Sequence, residues 1–369
     1  MLTPRNEAEL SGMIRSAPGP LAVGGGFTRG GVREGEPLSV AAMSGVVLYE
    51  PDALTLVARA GTPVAEVERV LGEAGQRLAF EPMDLRALLG TTGEPTLGGV
   101  IATNASGPRR VQSGAARDFL LGMRFVDGTG MAVSNGGRVM KNVTGLDLAR
   151  LLAGSHGTLG VITEVALKVL PAPEATMTLS FQGHDPGKAV ACMAAALGSP
   201  FEVTGAAHDA EAGVTRLRLE GFAQAVAVRA ERLARKLSAW GAAEVSEGPG
   251  DWAAIRDVAD FAGRAGDVWR LSVRPSRMAE ALALAGGAQR LDWGGGRAWV
   301  LVPEGADLRG RLGPFGARAV LARASAETRA AFGTFPPEEP AVAMLSQRLR
   351  ARFDPRGLFN PGLMAARAA

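Results

Sequence analysis

Cysteine, lysine and histidine are scarce in this chain, and each scarcity excludes something. Cys192 is the only cysteine among 369 residues. That rules out an intrachain disulfide framework and an iron–sulfur cluster held by this chain alone. It sits in the apolar run AVACMAAALG, where a thiol behaves as a small buried hydrophobe. Of the 40 basic residues only Lys141, Lys168, Lys188 and Lys236 are lysines, and the formal charge is +3. Such a balance does not build the one-sided basic face of a nucleic-acid binder. His156, His184 and His208 form no H-x-H pair and no His–Glu cluster, so no metal site is expected. No apolar run approaches the roughly 20 residues that span a bilayer. The opening MLTPRNEAELSGMIRS lacks a basic segment followed by an apolar one, so no secretory leader is expected. The expectation is a cytoplasmic chain.

Glycine, by contrast, is abundant. Fifty of the 369 residues are glycine, about twice the usual share. The stretch LAVGGGFTRGG, residues 21–31, poses the question of which anion such a loop would meet. A P-loop needs Lys and then Ser or Thr after its last glycine, but Val32 and Arg33 follow Gly31. A dinucleotide fingerprint starting at Gly24 and Gly26 would need a third glycine where Arg29 stands. What remains is a glycine-rich turn after a strand, able to let an anion come close, or a plain surface turn.

Hydrophobic and turn patterns divide the chain. NEAELSGMIRSA reads as a helix, PLAV as the strand feeding the glycine turn, and GVVLYE–PDA–LTLVARA as a hairpin. In GTPVAEVERVLGEAGQRL, Thr62 predicts the N-cap, Pro63 the first helical position and Gly75 the stop. A second glycine-rich region, GTTGEPTLGGVIATNASGPRR, reads as a turn, and a third leads into the strand of GTLGVITEVALKVLP. After Pro171 and Pro173 the pattern becomes two β-α-β-β units, which predicts one antiparallel sheet with helices on one face. The fold class expected is α+β. Its parts are residues 1–172, a cap of residues 173–345, and residues 346–369 returning to the first part. The arginine-rich segment from RLDWGGGRAWV onward is the expected partner face.

The order GGGFT, TLGGVIATNASGPRR, GSHGTLGVITEVALKVLP and a terminal FDPRGLFNPG resembles the FAD-linked oxidase family with a vanillyl-alcohol-oxidase (PCMH) type flavin domain. Within it, ARAGTPVAEVE, RDFLLGMRFVDGTG and RFDPRGLFNPG are most similar to the E-subunit branch of bacterial glycolate oxidase. The resemblance implies a two-part PCMH-type FAD-binding domain and a ferredoxin-like cap. It implies that Gly24, Gly25, Gly26, Phe27 and Thr28 cradle the FAD pyrophosphate. Leu97, Gly98, Gly99, Ala102, Thr103, Ser106 and Gly107 would line the isoalloxazine and ribityl chain, with Pro82 and Arg109 also on the cofactor. Gly157, Thr158, Gly160 and Val161 would hold the adenosine side or the back of the flavin, and Asn360 would return to its edge. Phe27 and Thr28 stand where covalent relatives carry an anchoring residue, so the FAD is expected to be non-covalent.

No catalytic residue is assigned. Arg109 and Arg110 read as a carboxylate or flavin clamp, or as phosphate contacts or surface ion pairs. His156 reads as a base or as an adenine-side residue, and Asn360 alternatively as a plain turn residue before Pro361. Lys141 and Asn142 would touch the cofactor or fix a loop. The function implied is an FAD-binding subunit that supports oxidation of glycolate to glyoxylate. It would pass electrons beside a larger homologous flavin subunit and an iron–sulfur subunit, reaching the inner membrane only through those partners. A self-sufficient 2-hydroxy-acid dehydrogenase and a non-catalytic structural subunit are the alternatives.

Overall fold

The computed structural model describes residues 1–30, 34–138 and 145–364. Lys141 and Asn142, and residues 31–33 of the first glycine stretch, lie outside the described residues. Among the described residues the N-terminal half holds two main sheets and a short antiparallel pair, Gln76–Arg77 with Leu170–Pro171. Leu21–Gly24 pairs in parallel with Glu36–Ser39. A five-stranded antiparallel sheet runs in the order Val46–Glu50, Thr55–Arg59, Val161–Lys168, Leu120–Val126, Ala132–Gly136. Apolar side chains of these sheets and of the helices packed on them, among them Leu10, Ile14, Leu38, Val67, Ile101, Phe125 and Val165, form one buried cluster.

Local chemistry explains the element starts. Asn6 accepts from the Glu9 N–H and caps the helix Glu7–Ser16. Asp185 caps Pro186–Leu197, with proline in its first turn. Two expectations need correction. The helix Val64–Glu73 is preceded by Pro63 with no side-chain cap. The Thr62 hydroxyl instead accepts from the Gly45 N–H at 2.9 Å and donates to the Arg59 carbonyl at 2.7 Å, so it ties the helix entry to the hairpin. TLGGVIAT is not a turn either: Thr96 caps a helix over Leu97–Thr103. Its glycines pack rather than turn, since a Cβ on Gly98 would stand 2.6 Å from the Ala60 Cβ.

The C-terminal half is one eight-stranded sheet in the order Glu244–Glu247, Ala175–Phe181, Val214–Gly221, Val203–Asp209, Ala288–Asp292, Arg297–Val302, Asp267–Ser272, Arg318–Arg323. Each half of it is a complete β-α-β-β-α-β unit; the sequence reads the first as β-α-β-β followed by the long helix FAQAVAVRAERLARKLSAW, so it gains only its last strand, whereas the second gains a helix and a strand. The strands missed are the outermost ones, and Glu244–Glu247 is exposed throughout, without the alternation that marks a half-buried strand. The two units join through His208 opposite Leu291 and Asp209 opposite Arg290. Within the expected partner face, Arg297–Val302 is buried at every position, as an inner strand of this sheet.

The chain end returns to its beginning. The Leu21 N–H donates to the Leu358 carbonyl at 2.7 Å, and the Asn360 N–H to the Leu21 carbonyl at 3.0 Å. Between the halves lies a buried charge network. Arg218 holds Glu81 at 2.8 Å and Arg109 holds Glu220 at 2.8 Å, all four nearly enclosed.

Candidate functional site

A narrow slot of about 60 Å³ opens beside the first strand. Gly24, Gly25, Gly26, Phe27 and Thr28 form one wall, Thr96, Gly98, Gly99, Ala102 and Thr103 another, and Gly157, Gly160 and Val161 close the back. All three glycine-rich stretches therefore meet in one place.

The glycines there answer mainly to protein packing. A Cβ on Gly25 would meet the Thr96 Oγ1 at 2.1 Å, and one on Gly26 would meet the Glu94 carbonyl oxygen at 1.8 Å. The Gly26 turn and the 93–96 loop thus touch backbone to backbone, where no L side chain fits. Among the described residues no protein acceptor takes the N–H groups of Gly25, Gly26 or Thr28. A row of free N–H donors at a glycine turn suits a phosphate oxyanion, and this donor set fits the pyrophosphate of an FAD.

The slot opens into a chamber of about 460 Å³, and Arg29, Thr103 and His156 line both. The chamber lies between the N-terminal half and the cap sheet. Its walls carry Ser106, Arg110, Met83 and Asn104 from one side and Arg270, Ser272, Trp293, Arg297, Trp299 and Arg318 from the other. Among the described residues seven arginines and no carboxylate line it. Arg29 donates to the Met83 carbonyl at 2.9 Å; burial pushes its pKa down to about 10, against the opposing pull of Asp84 and Asp257. Arg297 pairs with the buried Asp292 and lies 3.9 Å over the Trp293 ring. Arg110 covers the same indole at 4.4 Å, and the indole N–H donates to the Gly107 carbonyl at 3.0 Å.

Left-handed backbone gathers here. Phe27, Asn104, His156, Trp293 and Asn360 have φ of 52°, 47°, 54°, 56° and 44°. Each such non-glycine residue costs about 1–3 kcal/mol, and four of the five line the slot or the chamber.

The remaining sequence-expected residues sit behind these walls. Leu97 is fully buried and supports the helix that carries Gly98 and Gly99. Pro82 is buried next to Met83, and Gly107 packs on Glu81. The Thr158 hydroxyl donates to the Ser155 carbonyl at 2.8 Å. Arg109 faces neither cavity: its guanidinium is spent on Glu220 and its N–H on Glu81. Of the two neighbouring arginines, Arg110 is the one in the chamber. Asn360 is likewise behind the slot. Its Oδ1 accepts from the Val23 N–H at 2.8 Å, and its Nδ2 donates to the His156 carbonyl at 2.9 Å. It pins the chain end to two slot-forming turns. His156 meets the Phe335 ring edge-on, 4.9 Å between centroids.

His184 and His208 line neither the slot nor the chamber and are buried in the cap. The His184 Nε2–H donates to the Trp240 carbonyl at 2.8 Å, so its Nδ1 accepts from the Thr215 hydroxyl. Thr215 in turn accepts from His208 at 3.0 Å. Burial, and then the neighbouring His184, push the pKa of His208 down to about 4. Cys192 is fully buried, and burial raises its thiol to about 11. Sequence reasoning missed Arg29, Arg270, Trp293, Arg297 and Arg318 in the chamber. For the three strand arginines the signal was alternation with a second chamber residue, as in Arg270-x-Ser272 and Arg297-x-Trp299.

Among the described residues no helix is long and apolar enough to cross a membrane. A family profile described as an FAD binding domain (FAD_binding_4) matches residues 1–136. The chain is 36% identical to the glycolate oxidase subunit GlcE of Escherichia coli, over 90% of this chain and 88% of that protein. It is 34% identical to a D-lactate dehydrogenase of Anaerostipes hadrus over 42% of this chain, and spans only 31% of that protein. The fold is similar to that of an alkyldihydroxyacetonephosphate synthase structure, with a TM-score of 0.68 at 17% identity, covering 98% of this chain and 76% of that one. With GlcE matched along nearly its whole length and an FAD-binding domain over the slot, the chain belongs to the FAD-linked oxidoreductase family, in the branch of the glycolate oxidase subunit GlcE.

Proposed function

We propose that this chain is a non-covalent FAD-binding subunit of a glycolate oxidase-type complex. The observation that carries the reading is the continuity of the two cavities: a slot of free backbone N–H groups runs into an arginine-lined chamber walled on one side by the cap. Gly25, Gly26 and Thr28 would hold the pyrophosphate, and Gly98, Gly99 and Thr103 the chain that leads on to the chamber. When bound, the flavin supplies two-electron redox chemistry at the chamber. The protein's own residues do the rest. The Arg110–Trp293–Arg297 stack sets a cationic wall on the cap side, and guanidinium groups fix a carboxylate by paired hydrogen bonds. Phe27 and Thr28 offer no side chain suited to a covalent flavin link, which supports reversible binding.

The division of labour follows from what the chamber offers. Oxidation of a 2-hydroxy acid needs a group to take the hydroxyl proton, and His156 is the only histidine lining the chamber. His156 sits where slot and chamber meet. The reading is therefore a supporting, electron-carrying subunit. It works beside a homologous larger flavin subunit and an iron–sulfur subunit, and residues 1–172, 173–345 and 346–369 act as flavin domain, cap and returning segment. The test is anaerobic mixing of the FAD-loaded chain with glycolate or D-lactate, alone and with the partner subunits. Bleaching of this chain's flavin only in the complex is expected. Full bleaching of the isolated chain would favour the self-sufficient dehydrogenase instead.

A further inference from the structure

The cap sheet presents an unusual face to the chamber. On three neighbouring strands, Arg270 stands opposite Trp299 on one side and Val320 on the other. Two residues along, Ser272 stands opposite Arg297 and Arg318. All six line the chamber, as the two-residue period of a strand requires. The result is a grid with Ser272 at the middle of one row, arginines on both sides of it, and Arg270 above it. Arg270 lies on the diagonal from both Arg297 and Arg318, a spacing of about 7–8 Å that long side chains still bridge, so like charges here are unfavourable unless something anionic sits among them.

Two of the four chamber arginines nearest this grid are already engaged: Arg297 pairs with Asp292, and Arg110 stacks on Trp293 without a carboxylate. Arg270, Arg318 and the Ser272 hydroxyl have no hydrogen-bond or ion-pair partner among the described residues. Burial lowers the pKa of Arg270 to about 10, with Arg297, Arg318 and Arg110 pushing the same way. A single carboxylate would answer only part of this charge. The glycine slot contributes no residue to the grid, so a pyrophosphate held in the slot leaves it unanswered.

We infer that the Arg270–Ser272–Arg318 grid, with Arg110 facing it, is a binding site for a small organic dianion carrying two carboxylates. This rests on the flavin reading only for the chamber's second wall; the grid itself belongs to the cap. Each carboxylate takes a guanidinium, and the Ser272 hydroxyl donates to one of them. Monocarboxylates such as glycolate fill half of the site.

The test is titration calorimetry of the whole chain, with and without FAD, using malonate and oxalate against acetate, glycolate and sulfate. Dicarboxylates are expected to bind about tenfold or more tighter than monocarboxylates, about 1.4 kcal/mol or more, because they make one further charge-assisted contact. Arg270→Gln should remove that preference while leaving the flavin absorbance of the loaded chain intact. Arg318→Gln and Ser272→Ala should each weaken it and serve if the Arg270 variant does not fold. Equal affinity for acetate and malonate, or sulfate binding as well as malonate, would overturn the inference. So would an unchanged preference in both Arg318→Gln and Ser272→Ala. Absence of flavin binding alone would count against the FAD reading and leave the calorimetric result on the grid standing.

Discussion

Replacing Glu220 by glutamine tests how the two halves are held around the chamber. The Glu220 carboxylate is buried; it accepts from the Arg109 Nε and Nη2 at 2.8 Å each and from Arg77 at 3.0 Å. Burial alone would raise its pKa, but Arg109, Arg218 and Arg77 outweigh burial and draw it from 4.5 down to about 2. At about 1.4 kcal/mol per pH unit between those values, the ionised carboxylate contributes about 3 kcal/mol to folding. Removing one partner of a buried pair costs about 3–5 kcal/mol on independent grounds. Glutamine keeps the shape but leaves Arg77, Arg109 and Arg218 facing Glu81 alone. Glu220→Gln should therefore lose about 3 kcal/mol at pH 7 in urea unfolding followed by tryptophan fluorescence. Because the folded value lies below the unfolded one, this stability is fully present above pH 4.5 and is lost as pH falls towards 2. The gap between variant and wild type should close over that window. A variant within about 0.5 kcal/mol of wild type at pH 7, the range of an ordinary surface substitution, would refute the reasoning.

Further outcomes follow from single contacts. Gly26→Ala puts a Cβ 1.8 Å from the Glu94 carbonyl oxygen, so the turn and loop must separate; the 450 nm absorbance per chain after reconstitution with FAD should fall severalfold. Asn360→Ala leaves the buried Val23 and His156 groups unanswered, at a cost of about 1–3 kcal/mol each. Its flavin should dissociate faster, read as recovery of free FAD fluorescence. His208 has a folded pKa near 4 against an ordinary 6.5. Stability carried by its neutral form is complete above pH 6.5 and lost as pH falls through 4; His208→Leu should flatten the stability–pH slope across that interval.

The glycine slot was legible in the sequence because its three stretches are contiguous and their order is distinctive. Even so, the physical reason for the glycines was only partly visible. Gly26 is required by the Glu94 carbonyl 68 positions along, a contact that no local pattern encodes. The same limit explains Arg109. Next to Arg110 in sequence, it looks equivalent to it, and only the fold shows that Glu220 on a cap strand captures one while Trp293 steers the other into the chamber. Asn360 was noticed in its turn, but its bonds to Val23 and His156 depend on the chain end returning to the first strand. The chamber arginines were hidden for a further reason. Arg270, Arg297 and Arg318 each look like the polar half of an alternating strand, and such residues usually face water. Here that face is covered by the flavin half of the molecule. Only the cross-strand register brings Arg297 and Arg318 to either side of Ser272.

The most direct measurement is the absorbance spectrum of the purified chain after reconstitution with FAD and removal of excess, before and after acid denaturation. A flavin band near 450 nm at one FAD per chain, released into the supernatant on denaturation, is the predicted result. A colourless chain after reconstitution would contradict the FAD-binding assignment, and a yellow pellet with a colourless supernatant would contradict non-covalent attachment.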